Sequence, residues 1–189
     1  MNIRKATQLD LPGVEAVYNE IHDAEEEGSL VIGWIRGVYP VRATAEAGLR
    51  RGDLFVMEKD ERICGAAFIN QIQVDAYAQG SWRNEADAGQ IGVLHTLVIS
   101  PKAQGQGLGR QFVRFYEEYS RENGWTELRL DTNARNQRAR AMYEKLGYTE
   151  IGVVHTKFNG IPEVDLVLLE KVLELGNRVP AMDETPAAN

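Results

Sequence analysis

Apolar positions along the chain switch between two periods, and each switch marks an element. Val14, Val17, Tyr18 and Ile21 are spaced by three, one and three, so a half-buried helix is expected over 10–25, with Asp10 as its cap and Pro12 in its first turn. A short strand at 2–5 precedes it. Residues 28–43 mix Trp34, Ile35, Val38 and Tyr39 with Gly33, Gly37 and Pro40, which reads as a partly apolar loop leading to a second helix at 44–51. Strands at 54–58 and 63–74, joined by the polar turn 59–62, read as a hairpin. The stretch 75–89 is polar and aromatic by turns, either a long hairpin loop or an insertion.

A strongly apolar strand at 90–99 then stops at Ser100-Pro101. Leu108, Phe112, Phe115, Tyr116 and Tyr119 share one face of a helix expected over 108–122, with Asn123-Gly124 ending it. Alternation over 126–131 turns Leu128 and Leu130 inward, and Ala139, Met142, Tyr143 and Leu146 share a face of a helix at 134–146. A final hairpin of strands 148–155 and 164–169 turns around 159–162. Interleaved strands and helices predict a single α/β domain over 1–172 built on one mixed sheet. The tail 176–189 has two prolines and no period, so it is expected to be disordered.

Composition narrows the function classes. A chain of 189 residues, 43% hydrophobic and 26% charged, suits one domain that buries roughly 70% of its extended surface. Its formal charge of −7 disfavours adhesion to nucleic acid or to anionic bilayers. No run approaches the length of a membrane span, and the first residues lack the apolar core of a signal peptide, so the expectation is a cytoplasmic protein. Cys64 is the single cysteine, which excludes an internal disulfide and a thiolate metal cluster and suits a small core position. No His, Asp or Glu spacing suggests a metal site.

The chemistry concentrates in 97–110, an apolar strand, a turn containing Gly105, Gly107 and Gly109, and the start of a helix. At a helix start several backbone N–H groups lack partners and the macrodipole is positive, so an anion can collect them where glycine leaves the approach open. No Gly-Lys-Ser/Thr follows, and Gly105-x-Gly107-x-x-Arg110 lacks the third glycine of the dinucleotide fingerprint. A diphosphate site of another kind and a plain capping turn both remain open on these residues alone.

Gln104-x-x-Gly107-x-Gly109 after a strand resembles motif A of the GNAT superfamily of N-acetyltransferases. About 30 residues on, Asn136-x-x-Ala139-x-x-x-Tyr143-Glu-Lys-Leu146-Gly147-Tyr148 is similar to the family's second signature. The resemblance covers 90–150 strongly and is compatible in element order over 1–170, while 28–43 and 75–89 fall outside it. It implies the GNAT fold, a mixed and mostly antiparallel sheet with a splayed central strand pair, flanked by helices. It also implies acetyl-CoA as acyl donor, with no metal. The pantetheine arm would lie against the backbone of Leu97, Val98 and Ile99 and the amide of Asn136. The diphosphate would rest on Gln104, Gly105, Gln106, Gly107, Leu108, Gly109 and Arg110, with Lys102 and Arg110 as charge partners.

Transfer to an amine requires removal of a proton from an alkylammonium, a cost of about 4–5 kcal/mol at neutral pH. The resemblance implies Tyr143 as the acid for the departing thiolate, a role that a phenol near pKa 10 suits. His95, two residues before Leu97 and expected on the same face, is the candidate base, where the family often carries Glu. Glu85, Asp87, His22 and His155 are weaker candidates. Trp34, Tyr39, Tyr77 and Trp82 would border the acceptor by analogy, as a cation-binding wall or as loop anchors. The expected activity is acetylation of a primary amine on a small molecule. Acetylation of a protein or peptide amine and a non-catalytic acyl-CoA-binding module are the alternatives, and a homodimer through the last strands stays open.

Overall fold

A computed structural model describes residues 1–174, so the expectation for the tail 176–189 lies outside the described residues. Strands β1 (Asn2–Lys5), β2 (Leu54–Lys59), β3 (Arg62–Asn70), β4 (Ile91–Ile99), β5 (Glu127–Asn133), β6 (Thr149–Phe158) and β7 (Ile161–Val172) form one sheet in the order β1-β2-β3-β4-β5-β7-β6. Only the β4–β5 pair is parallel among these strands. Helices α1 (Leu11–Glu26) and α2 (Arg42–Arg51) cover one face, where Val14, Val17, Tyr18 and Ile21 pack on Leu54, Val56, Ala66 and Phe68. On the other face α3 (Leu108–Glu122) sets Leu108, Phe112 and Tyr116 against Leu128 and Leu130, and α4 (Gln137–Lys145) adds Tyr143. Among the described residues, no helix is long and apolar enough to cross a membrane.

Several boundaries differ from the sequence expectation for local reasons. Strand β3 ends at Asn70 because its Oδ1 accepts the Ile72 N–H at 2.8 Å and turns the chain out of the sheet. Hairpin β6–β7 is longer than expected: Asn159 and Gly160, at φ of 51° and 81°, close a two-residue turn that lets Ile161 pair with Phe158. Segment 75–90 holds two short 3-10 turns, Asp75–Gln79 and Ala88–Gln90, and packs Tyr77 and Trp82 into a third apolar cluster with Leu166 and Leu168.

Asp10 does not cap α1. Its carboxylate accepts the Thr7 N–H at 2.7 Å and pairs with the Arg4 guanidinium at 2.7 Å. Arg4 holds the Asp10 pKa down at about 2, so the pair's contribution is present above the ordinary carboxylate range and is lost as pH falls toward 2. Asp10→Asn is expected to cost about 1–2 kcal/mol at pH 7, read as a lower urea midpoint, with a smaller difference from the parent at pH 3.

The decisive irregularity is in β4. Ala66 pairs with Val98 but Phe68 pairs with His95, so Thr96 and Leu97 together oppose Ala67, and Thr96 takes φ of 52°. This is a bulge, which bends the strand away from its neighbour. Pairing of β4 with β5 runs only from Ile91–Glu127 to Leu94–Leu130. Beyond it Asp131, Thr132 and Asn133 keep only β7 as a partner, and a fork opens between the two central strands. The expected splayed pair is therefore present.

The bulge also corrects the expected side-chain geometry. Alternation put His95 and Leu97 on one face, but the extra residue sets His95 beside Phe68 on the α1 side while Leu97 packs into the α3 core.

Candidate active site

The fork opens into a cavity of about 950 Å³. At one end lies the glycine turn. Gly105 and Gly107 sit at φ of 80° and 71°, a region that L side chains rarely adopt. A Cβ at Gly105 would meet nothing within 4 Å, and one at Gly107 would meet only the Arg110 guanidinium at 3.7 Å. The first bond of α3 is from the Gln111 N–H to the Gly107 carbonyl, at 3.1 Å. None of the amides from Gly105 to Arg110 has a partner among the described residues. Six neighbouring N–H groups, uncovered by side chains at a helix start, form a ready seat for a dianion.

Charge around that seat differs from the expectation. Lys102 is not available to it, because its ammonium pairs with Glu20 at 2.7 Å. The Gln106 side chain does not line the cavity and accepts from Lys59 instead, although its backbone amide belongs to the unpartnered run. Arg110 does border the cavity, joined by Arg135 and Arg138, and Arg138 donates to Gln104 Oε1 at 2.5 Å.

Leu97, Val98 and Ile99 line the same space along the bulged strand. Asn136 does both things considered for it. Its Oδ1 caps α4 by accepting the Ala139 N–H at 3.1 Å, and its Nδ2 has no partner among the described residues at the cavity wall.

Tyr143 packs its ring edge-on to Tyr148, with centroids 5.8 Å apart, and lines the cavity, its hydroxyl without a hydrogen-bond partner among the described residues. Burial, with the Asp131 charge adding to it, pushes the phenol pKa up, so it keeps its proton at neutral pH. His95 donates from Nε2 to Asn70 Oδ1 at 3.1 Å. That direction is fixed because Asn70 Oδ1 already accepts the Ile72 N–H and Nδ2 donates to Asp53 Oδ2 at 2.9 Å. The lone pair is therefore on Nδ1, which has no side-chain partner among the described residues. Burial lowers the His95 pKa to about 4, only partly offset by the Ile72 carbonyl and Asp53.

Of the four expected acceptor residues, Trp34 and Tyr39 line the cavity, edge to face at 5.9 Å, and the Tyr39 hydroxyl meets that of Thr96. Tyr77 and Trp82 do not. Tyr77 is buried with its hydroxyl donating to Asp131 Oδ2 at 2.8 Å. Trp82 bonds the Tyr77 carbonyl at 2.8 Å and lies under the Arg129 guanidinium at 4.0 Å, which makes it an anchor of segment 75–90. The weaker base candidates lie elsewhere too. His22 bonds the Pro40 carbonyl, His155 pairs with Asp165, and neither Glu85 nor Asp87 borders the main cavity. No group of three or more His, Cys, Asp or Glu positioned for a metal occurs among the described residues.

A model of the acetyltransferase (GNAT) family matches residues 14–148. The chain belongs to the GNAT family. It is an N-acetyltransferase. It is 26% identical over 161 residues to the uncharacterized N-acetyltransferase YhfO of Bacillus subtilis, covering 84% of this chain and 97% of that one. The mycothiol acetyltransferase of Beutenbergia cavernae is 37% identical over 81 residues, which is 43% of this chain and 26% of that protein. Among solved structures, a GNAT acetyltransferase from Streptococcus agalactiae superposes with a TM-score of 0.76 at 22% identity, covering 92% of this chain and 95% of that one. YncA of Salmonella typhimurium, solved with acetyl-CoA, superposes with a TM-score of 0.66 at 17% identity, covering 92% and 94%.

GNAT enzymes use acetyl-CoA, and the uncovered amides, with the Arg110 guanidinium beside Gly107 and Arg138 on Gln104, fit the charge of its diphosphate. What sequence reasoning missed in this family member is the far side of the cavity: Asp131 from β5, Asn70 from β3, and Phe158, Asn159 and Ile161 from the β6–β7 hairpin. Three consecutive polar residues, Asp131-Thr132-Asn133, where the polar–apolar alternation of Glu127 to Leu130 breaks off, were the available signal.

Proposed function

We propose that the protein transfers the acetyl group of acetyl-CoA to a primary amine of a small molecule by direct attack. The observation that carries this reading is the run of unpartnered amides from Gly105 to Arg110 at the mouth of the fork. These amides and Arg110, Arg135 and Arg138 hold the phosphates; the β4 edge at Leu97, Val98 and Ile99 and the Asn136 Nδ2 hold the pantetheine arm. Bound there, acetyl-CoA supplies an acyl carbon activated as a thioester. Tyr143 keeps a proton on its hydroxyl for the departing sulfur. His95 Nδ1 accepts the proton that the amine loses.

A small acceptor is favoured because residues 29–34, Tyr39, Phe158, Asn159 and Ile161 line the same cavity as the glycine turn. A screen of small amines with acetyl-CoA, reading free thiol, tests the reading. Amine-dependent thiol release is expected. Release that does not depend on amine means hydrolysis, and a peptide amine preferred over every small one overturns the acceptor class.

His95→Ala is expected to lower kcat about 100-fold and to remove the acidic limb of the pH–rate profile near pH 4, where the histidine protonates. An unaltered profile rejects His95 as the base.

A further inference from the structure

We propose that Asp131 is the acceptor-binding residue, and that the acceptor is a primary ammonium carrying an apolar body that docks on the free carboxylate oxygen at the fork. This rests on the transferase reading above and names its substrate class.

Asp131 is the first residue of β5 beyond the last pair with β4, so it stands where the two strands part. Leu128 and Leu130 point into the α3 core, and alternation turns Asp131 to the opposite face, toward segment 75–90. There the Tyr77 hydroxyl donates to Oδ2 at 2.8 Å, while Oδ1 has no partner among the described residues. Among those residues it is the sole carboxylate lining a cavity to which Arg51, His95, Arg110, Arg135 and Arg138 contribute the other titratable charges.

The carboxylate also lacks a counter-charge. Its charge is felt by the phenols of Tyr39, Tyr77 and Tyr143, while the Tyr77 hydrogen bond is the one group that offsets its burial and neither Lys nor Arg does so among the described residues. Burial therefore raises its pKa to about 6, the signature of an anion held without a cation. A desolvated carboxylate in this state gains most from a ligand that brings its own positive charge. The surrounding walls set the rest of the ligand. Trp34, Val74, Phe158, Ile161, Val164 and Leu166 line the cavity and belong to the same apolar cluster as Tyr77. An ammonium seated on Asp131 thus has apolar surface beside it for a hydrocarbon or aromatic body.

The test uses the full-length chain with two probes, phenethylamine, which is cationic at pH 7.5, and aniline, which is neutral. Calorimetry without acetyl-CoA should show phenethylammonium binding that Asp131→Asn weakens at least tenfold, with aniline binding unchanged. In turnover the same variant should raise the phenethylamine KM at least tenfold at an unchanged acetyl-CoA Kd. In the parent chain, which needs no variant to fold, phenethylammonium affinity should fall as pH drops from 7 to 5 and the carboxylate protonates. No binding by the parent, a pH-independent affinity, or an Asp131→Asn affinity equal to the parent's overturns the inference. A chain that binds phenethylammonium through Asp131 but never releases thiol from acetyl-CoA overturns the transferase reading instead, and leaves the ammonium seat standing.

Discussion

Gly107→Val should abolish the rise in melting temperature that acetyl-CoA confers on the parent chain. At 100 times its Kd a ligand stabilises by about 2.7 kcal/mol, which in a domain of this size is a shift of about 5–10 °C. Gly107 is the N-cap of α3 at φ of 71°, and the six amides around it have no acceptor among the described residues. A β-branched side chain resists that backbone conformation by about 1–2 kcal/mol and covers the approach to the amides, so the ligand loses both the geometry and the access. Strain alone would also lower the melting temperature without ligand. Gly124→Val separates the two effects, since Gly124 has φ of 75° in open space at the other end of α3. It should melt lower yet keep the full shift with acetyl-CoA. A Gly107→Val chain that keeps the shift removes the diphosphate from this turn.

Tyr143→Phe should reduce kcat by about 10²–10⁴-fold while acetyl-CoA Kd changes less than about twofold. At the lower end this is about 2.7 kcal/mol of lost transition-state stabilisation. The substitution keeps the ring and its edge-to-face packing on Tyr148, and it removes a hydroxyl that has no hydrogen-bond partner among the described residues. The melting temperature should therefore stay within a degree or two of the parent, and the loss should appear in turnover alone. Unchanged turnover would remove Tyr143 as the acid and shift attention to a solvent proton.

Elements that depend on local periodicity were legible before any tertiary information. The five-residue stripe from Leu108 to Tyr119 predicted a helix over 108–122, and α3 spans Leu108–Glu122. The glycine turn was legible for the same reason, since missing side chains and a helix start are both local facts. Charge around the turn was not. Lys102 looked available because it is three residues from Gly105, but Glu20 of α1 takes it, and Arg138 of α4 comes in from 34 residues beyond Gln104. Pairings across the fold reassign side chains that sequence proximity groups together.

His95 and Asp131 mark the boundary between the two kinds of information. The chain by itself determined the order of strands and helices, the glycine turn and the two family signatures, because periodicity, capping and glycine content act within a few residues. Only the tertiary structure decided which side chains meet in the fork. One added residue at the Thr96 bulge reverses the face of every later position on β4 and ends its pairing with β5. That exposes Asp131 to the cavity, an outcome set by register between strands distant in sequence and therefore absent from any local pattern.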